Sequence, residues 1–427
     1  MEIVEDNKIS RALLVSVRTP DVDESAAEES LAELERLVTT LGFKVVAKDS
    51  QRRTSTGSAH VLGEGKLKEL AALTGRSGEE GESEGERQAD VVVFDCDLTP
   101  SQMRNLEKSF GVEVMDRTGV IIEIFSRHAK TRAARLQVEI ARLNYMAPRV
   151  RETGGGGGER QAGRGAGESQ LELDRRRIRD RVTELKAELA GVQREQDNRR
   201  SSRTEQGLVA LVGYTNAGKS STMRALTGSD VLVENKLFAT LDTTVRALQP
   251  ETRPRILVSD TVGFIKKLPH DLVASFKSTL DEALNASLLL YVVDASDPTF
   301  RTQLDVTRDV LAEVGATESP SWIVLNKSDQ IDLATQRRLQ MEFPSAILIS
   351  SRNPEDVARL RERIVDFFEK DMREEDLFVP YDMKGIIGEI RSQMRVLKEE
   401  FENEGVRIRV RSDEVVLARL KKKFSLP

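Results

Sequence analysis

The sequence predicts a multidomain α/β protein: an N-terminal α/β lobe, a helical hairpin of coiled-coil type, a doubly wound parallel sheet of P-loop type and a small C-terminal α/β domain. Three observations carry this. From Leu208 onward five short apolar runs, LVALVG, RILVSD, SLLLYVVD, SWIVLN and AILIS, alternate with helical patterns, as strands covered by helices on both faces do. Two amphipathic helical stretches flank GGGGGERQAGRGAG, in which eight of fourteen residues are glycine. At 427 residues the chain exceeds one ordinary core. The boundaries expected are 1–126 for the lobe, 127–203 for the hairpin, 204–372 for the parallel sheet and 373–427 for the last domain.

Taken in order, RALLVSV and FKVVAKDSQ read as strands around the helix DESAAEESLAELERLVTTLG, which ends in a glycine stop. VVVFDCDL and VEVMDRTGVIIEIF read as two further strands around the helical SQMRNLEKSFG. GRSGEEGESEGERQ lacks apolar residues and reads as a disordered insertion. A helix then carries Leu136, Ile140 and Leu143 on one face; beyond the glycine loop, Leu171, Ile178, Val182, Leu185, Leu189 and Val192 recur at intervals of 7, 4, 3, 4 and 3, a coiled-coil seam. The two helices are expected to pair as a hairpin. Beyond Leu377, LFVPYD, a long helix over 386–400, VRIRVRSD and VVLARLKKKF are expected to form the last unit.

Composition narrows the chemistry. Hydrophobic residues make up 39% and charged residues 32% of the chain, which suits a soluble protein, while only 4% aromatics argue against stacking platforms for single-stranded nucleic acid. The single Cys96 and the scattered His60, His128 and His270 argue against disulfides, zinc and redox work. MEIVEDNKIS does not resemble a signal peptide, and LLLYVV at 288–293 is too short to span a bilayer, so a cytoplasmic monomer is expected. The net charge of −6 conceals a basic block: residues 127–203 hold 19 Lys and Arg against 11 Asp and Glu. Such a block suits a polyanion or a solvated helix face.

The chemistry centres on Gly213, Tyr214, Thr215, Asn216, Ala217, Gly218, Lys219 and Ser220, which fit G-x-x-x-x-G-K-[ST] between a strand and a helix. Backbone N–H groups of such a loop cradle phosphates, the Lys219 ammonium reaches the β and γ oxygens, and the Ser220 hydroxyl ligates Mg²⁺. Asn326, Lys327, Ser328 and Asp329 end the strand SWIVLN, and a carboxylate at Asp329 matches the N1–H and exocyclic amine of guanine. Asp260, Thr261, Val262 and Gly263 follow RILVS, placing Asp260 toward the metal and the Gly263 N–H toward a γ-phosphate. LFATLDTTVR precedes them with threonines able to close over the metal, and Ser350, Ser351 and Arg352 follow AILI toward the base. GTP and GDP are therefore the expected ligands, with Mg²⁺. Lys219 and Gly263 are the expected catalytic groups.

The order of these motifs resembles a translation-factor-class GTPase. Together with DRTGVIIEIFSRHAKTRAARLQVEIARLNYMAPRV and GESQLELDRRRIRDR it resembles the HflX family of ribosome-associated GTPases over roughly residues 10–370. The resemblance implies a lobe and hairpin that reach into the large ribosomal subunit, with hydrolysis governing release. It also implies that Phe238, Ala239, Thr240, Leu241 and Asp242 form a first switch, with Ser220 and Thr240 as Mg²⁺ ligands; on sequence alone Thr243 and Thr244 compete with Thr240. The chain departs from the family's G-P-G-E tip, carrying Gly165, Ala166, Gly167 and Glu168.

Phe264 stands where many GTPases carry a water-orienting glutamine, so slow unaided hydrolysis is expected. Asn216 either ligates a monovalent cation such as K⁺ or shapes the loop. Arg149, Arg151, Arg164 and the cluster Arg175–Arg179 are candidates for RNA phosphates, although Glu172, Asp174 and Asp180 compete for the cluster. A protein partner docked on the hairpin is the alternative. Gly63, Gly65 and Lys66 in VLGEGKLKEL either hold a second nucleotide or make a turn into a helix.

Overall fold

The computed structural model describes residues 10–76, 87–150, 170–201, 207–228, 237–238, 243–268, 283–316, 319–383 and 385–424. The acidic insertion over 77–86, the glycine loop with Arg151 and Arg164, and Ala239 to Asp242 lie outside them. The chain divides into two compact units. One runs to Gln193 and includes Leu237, Phe238 and Lys266 to Leu268; the other holds the remaining residues.

In the first unit, β1 (Arg11–Arg18), β2 (Lys44–Arg52), β3 (Val91–Phe94) and β4 (Glu113–Asp116) form a parallel sheet in the order β2-β1-β3-β4. Leu13, Val15, Val92 and Phe94 meet Leu106 and Phe110 in the core. The connections are α1 (Glu24–Thr40), α2 (Glu64–Leu73) and α3 (Pro100–Phe110). Thr99 caps α3, accepting from Gln102 N–H while the Gln102 side chain accepts from Thr99 N–H, and Pro100 occupies the first turn.

The strand expected over VEVMDRTGVIIEIF ends at Asp116, and α4 (Arg117–His128) takes its place. Asp116 decides this: its carboxylate accepts from Gly119 N–H at 2.8 Å as a helix cap. Burial of Val120, Ile121, Ile124 and Phe125 then overrides the strand preference of the β-branched run. Next, α5 (Arg132–Met146) pairs with α6 (Gln170–Ser201): Leu136 and Ile140 pack on Val182 and Leu185, with Leu143, Ile178, Leu189 and Val192 alongside. This is the expected seam. Arg132 closes it with bonds of 3.0 and 2.7 Å to Glu188.

The second unit contains β5 (Gly207–Val212), α7 (Lys219–Thr227), β6 (Thr244–Ala247), β7 (Ile256–Asp260), β8 (Leu288–Asp294), α8 (Phe300–Val314), β9 (Ser321–Asn326), α9 (Leu333–Glu342), β10 (Ile347–Leu348) and α10 (Pro354–Glu369). Its sheet order is β10-β9-β8-β5-β7-β6. The five apolar runs are parallel, while β6, from the TTVR stretch, adds an antiparallel edge to β7. Val209, Leu211, Val258, Leu290 and Val324 are buried in the core, as strands with helices on both sides require.

The expected long helix over 386–400 is also corrected. Helix α11 (Ile386–Gln393) stops after eight residues, and β12 (Arg395–Phe401) pairs antiparallel with β13 (Gly405–Ser412). With β11 (Arg373–Pro380) they make the sheet β11-β13-β12, packed on α11 and α12 (Glu414–Phe424) through Leu377, Val379, Ile386, Ile390 and Ile408. VRIRVRS buries one face and leaves an edge to be paired, so RVLKEEF gains more from the ladder than from its helix propensity.

Candidate functional site

Four loops converge at the C-terminal ends of β5, β7, β9 and β10, where an open α/β sheet binds ligands. Strand β5 is held between β7 and β8, and its buried Val209 to Val212 fix the start of the loop 213–220. Gly218 lies at φ 96°, and a Cβ there would stand 2.2 Å from Asn326 Nδ2, so only glycine fits. Asn216 at φ 61° occupies the left-handed region that Asn tolerates best among non-glycine residues, with its side chain exposed.

Lys219 opens α7 and is buried; its Nζ donates to Gly213 O at 3.0 Å and Tyr214 O at 2.9 Å. Burial draws its pKa down to about 8, opposed by the charge of Asp260. The Ser220 hydroxyl donates to Asp260 Oδ2 at 2.6 Å, bringing a hydroxyl and a carboxylate together at the strand end. Thr261 anchors the next turn by donating to Leu211 O at 2.7 Å. Gly263 follows, and Val262, Phe264 and Ile265 are buried.

Asn326 acts as a stitch. Nearly fully buried, it donates from Nδ2 to Ala217 O at 3.0 Å and accepts from Ser351 N–H at 3.0 Å, tying the phosphate loop to the 350–352 loop. Lys327, at φ 62°, extends to Asp294 at 2.5 Å. Ser328, Asp329, Ser350 and Arg352 border a polar cavity of about 540 Å³. Ser350 N–H donates to Asp356 Oδ2 at 2.7 Å, which fixes that loop from α10.

Sequence reasoning missed Asp294 and Asp356 because strand-end and helical aspartates carry no motif of their own. Phe238 is buried and meets Phe125 edge to face, with ring centroids 4.5 Å apart. Thr243 and Thr244 are described, the latter paired with Asp260 across β6 and β7; Thr240 is among the residues outside the description.

Arg149, expected on RNA phosphates, turns inward instead. It donates to Asp116 Oδ2 at 3.0 Å, Leu98 O at 3.0 Å and Tyr145 O at 2.7 Å, and stacks 3.6 Å from the Tyr145 ring centroid. The cause is Asp116, whose carboxylate is fully buried and requires a cation. Within the cluster, Arg177 pairs with Asp174, and Arg181 pairs with Glu184 just beyond it, while Arg175 and Arg179 are exposed. Lys66 is engaged by Asp49 and Glu69, each at 2.9 Å, and Gly63 N–H by Gln51 at 2.8 Å, which favours the turn into α2.

Among the described residues no helix is long and apolar enough to cross a membrane, and no group of three or more His, Cys, Asp or Glu residues could hold a metal ion. Magnesium at a phosphate loop needs less, because phosphates and water supply most ligands. The Ser220 and Asp260 oxygens are a fitting donor set.

Family models match the chain in three stretches: residues 28–126 fit GTP-binding GTPase N-terminal, 128–203 fit GTP-binding GTPase Middle Region, and 208–327 fit 50S ribosome-binding GTPase. The chain is 58% identical to the GTPase HflX of Gluconacetobacter diazotrophicus, with 98% of each covered. It is 37% identical to the GTPase HflX of Caldanaerobacter subterraneus, covering 93% of this chain and 90% of the relative. A solved structure of a GTP-binding protein from the archaeon Sulfolobus solfataricus in complex with GDP shares 23% identity, with 85% of this chain and 99% of that one covered and a TM-score of 0.44. The two bacterial relatives, matched along nearly their whole length, establish that this chain belongs to the HflX family of GTPases.

Proposed function

We propose that this GTPase binds GTP and GDP with Mg²⁺ at residues 213–220, hydrolyses GTP slowly alone, and associates with the large ribosomal subunit through the 127–203 hairpin, where hydrolysis is stimulated. The observation that carries the first part is the convergence of Lys219, Ser220 and Asp260 at the ends of β5 and β7. Lys219 would neutralise β and γ oxygens, and Ser220, Thr240 and Asp260 are the residues that would hold Mg²⁺. When bound there, Mg²⁺ would supply charge neutralisation to the transferring phosphoryl group. Gly263 N–H faces the γ-phosphate, while Asp329, Ser350, Ser351 and Arg352 read guanine beside the 540 Å³ cavity.

Slow turnover follows from Phe264, which is buried, apolar and unable to orient water. Asn216, in its exposed left-handed position, is the ligand we assign to K⁺; equal rates in K⁺ and Na⁺ would remove that role. The domains used are 1–126, 127–203, 204–372 and 373–427.

Ribosome association is supported by the match of residues 208–327 to the model described as 50S ribosome-binding GTPase and by the basic hairpin. GTP turnover measured with and without purified large subunits, beside salt-dependent co-sedimentation, tests this reading. At least tenfold stimulation is expected, since partner-supplied charge stabilisation in GTPases is worth about 10³ or more. An unchanged rate without co-sedimentation would transfer the hairpin to a protein partner. Whether the outcome is splitting, rescue or assembly follows from which subunit joint remains after hydrolysis.

A further inference from the structure

Thr215 carries a hydroxyl that the fold around it does not use. The residue is 7% exposed, and its Oγ1 is buried without a hydrogen-bond partner among the described residues. Its backbone, by contrast, is fixed. Thr215 N–H donates to Phe264 O at 2.8 Å, and Phe264 N–H donates to Gly213 O at 3.1 Å. Lys219 Nζ donates to Gly213 O and Tyr214 O, so the carbonyls just before Thr215 are held as well. All of these groups belong to the second compact unit.

A hydroxyl buried without a partner has lost its hydration and gained no bond, and valine has the same shape without that cost. Threonine at 215 therefore lowers the stability of the nucleotide-free protein, which is the mark of a group kept for a ligand. The neighbours of Thr215 identify the part of the ligand. A Cβ placed on Gly263 would lie 2.8 Å from Thr215 Cγ2, 2.9 Å from Thr215 Cα and 3.1 Å from Lys219 Nζ. The Thr215 side chain thus meets, at one point, the lysine that reaches β and γ oxygens and the glycine whose N–H is assigned to the γ-phosphate. Gly263, lacking a side chain, leaves Thr215 its room. The β-branch of Thr215 restricts its rotamers, so the hydroxyl is set before a nucleotide arrives.

We propose that Thr215 is a catalytic residue of GTP hydrolysis: its Oγ1 accepts a hydrogen bond from the attacking water, the task that the apolar Phe264 side chain leaves open. This rests on the nucleotide reading of residues 213–220. The water oxygen bonds to the γ-phosphorus as the bond from that phosphorus to the β–γ bridging oxygen breaks. The electron pair of the broken bond leaves on GDP, and the proton released by water passes to an oxygen of the phosphate formed. Thr215 neither gains nor loses a proton; it orients the water. A neutral hydroxyl adds no charge stabilisation, which accords with slow unaided turnover.

The test compares the full-length wild type with Thr215→Val and Thr215→Ser in three measurements. These are calorimetric melting without nucleotide, titration with fluorescent GDP and a fluorescent non-hydrolysable GTP analogue, and single-turnover hydrolysis of radiolabelled GTP with protein in excess. Thr215→Val should melt about 2 °C or more above wild type and bind both nucleotides within about threefold of it. Its hydrolysis should be about tenfold slower, the size of one hydrogen bond made only in the transition state. Thr215→Ser should keep the rate within about threefold of wild type. A valine variant that melts at or below wild type shows the hydroxyl to be bonded within the fold and overturns the proposal. A valine rate within about twofold of wild type overturns it too, as does a serine variant as slow as valine. So does a loss of analogue affinity equal to the loss of rate, because that is uniform binding. A wild type that binds neither nucleotide overturns the nucleotide reading and this inference together.

Discussion

Replacing Asn326 by Ala removes the stitch between two loops. Its Nδ2 donates to Ala217 O and its Oδ1 accepts from Ser351 N–H, both at 3.0 Å and buried. Alanine leaves a carbonyl and an N–H without these partners, each costing about 1–3 kcal/mol if no water reaches it. Part of that is recovered as the loops relax, leaving about 2 kcal/mol on the geometry of the phosphate loop. This corresponds to roughly 30-fold weaker binding of GDP and GTP alike. Asn326→Asp separates the two bonds, since it keeps the acceptor for Ser351 and sets a carboxylate against Ala217 O; it should bind more weakly than the alanine variant. The assay is equilibrium titration with fluorescent nucleotides, beside calorimetric melting with and without GDP. Asn326→Ala binding GDP within threefold of wild type would refute the reasoning, because the loop would then hold its shape unaided.

Three further outcomes are expected. Leu185→Ala, which empties the centre of the α5 and α6 seam, should cost about 2–5 kcal/mol and appear as loss of helical signal at lower urea; an unchanged midpoint would place the seam elsewhere. Arg149→Ala leaves the buried Asp116 without its cation and should cost about 3–5 kcal/mol, whereas Arg175→Ala should leave melting unaltered and weaken subunit co-sedimentation; equal melting of the two would contradict the inward role of Arg149. The Cys96 thiol is pushed up to about 12, first by burial and next by Asp95, so it remains protonated at pH 8.5. Iodoacetamide should label it at least about 100-fold more slowly than in urea, where the usual thiol pKa near 8.5 returns; a ratio under tenfold would refute this. The sign for stability follows: the unfolded thiol releases its proton first, so this group favours unfolding progressively as pH rises from about 9 to 12.

Legibility from sequence followed the strength of the periodic signal. The hairpin seam was readable because Val182, Leu185 and Leu189 repeat in step with Leu136 and Ile140. The β5 to α7 loop was readable because a glycine-rich pattern follows an apolar strand. Between Arg117 and Phe125 a local preference pointed the wrong way: Val120, Ile121 and Ile122 favour strand, and one aspartate cap together with burial decided for helix. Over 386–400 the charges of Lys398, Glu399 and Glu400 mimic a helix, and only the free edge of β13 reveals the strand. Arg149 was indistinguishable from a surface arginine until Asp116, 33 residues away, was placed beside it. Side chains joined across such separations leave no spacing to read.

The membership of Leu237, Phe238, Lys266 and Lys267 in the first compact unit has a consequence for synthesis. Residues that complete the unit are translated long after the rest of it. At about 5–20 residues per second, the interval between Arg117 and the Lys266 carbonyl it binds is roughly seven to thirty seconds. Until then Phe125 lacks the ring of Phe238, and Asp95 lacks Lys267. The nascent lobe therefore leaves the ribosome with an unfinished face. A fragment cut at residue 203 keeps that face for good, while the full-length chain closes it with its own later segments.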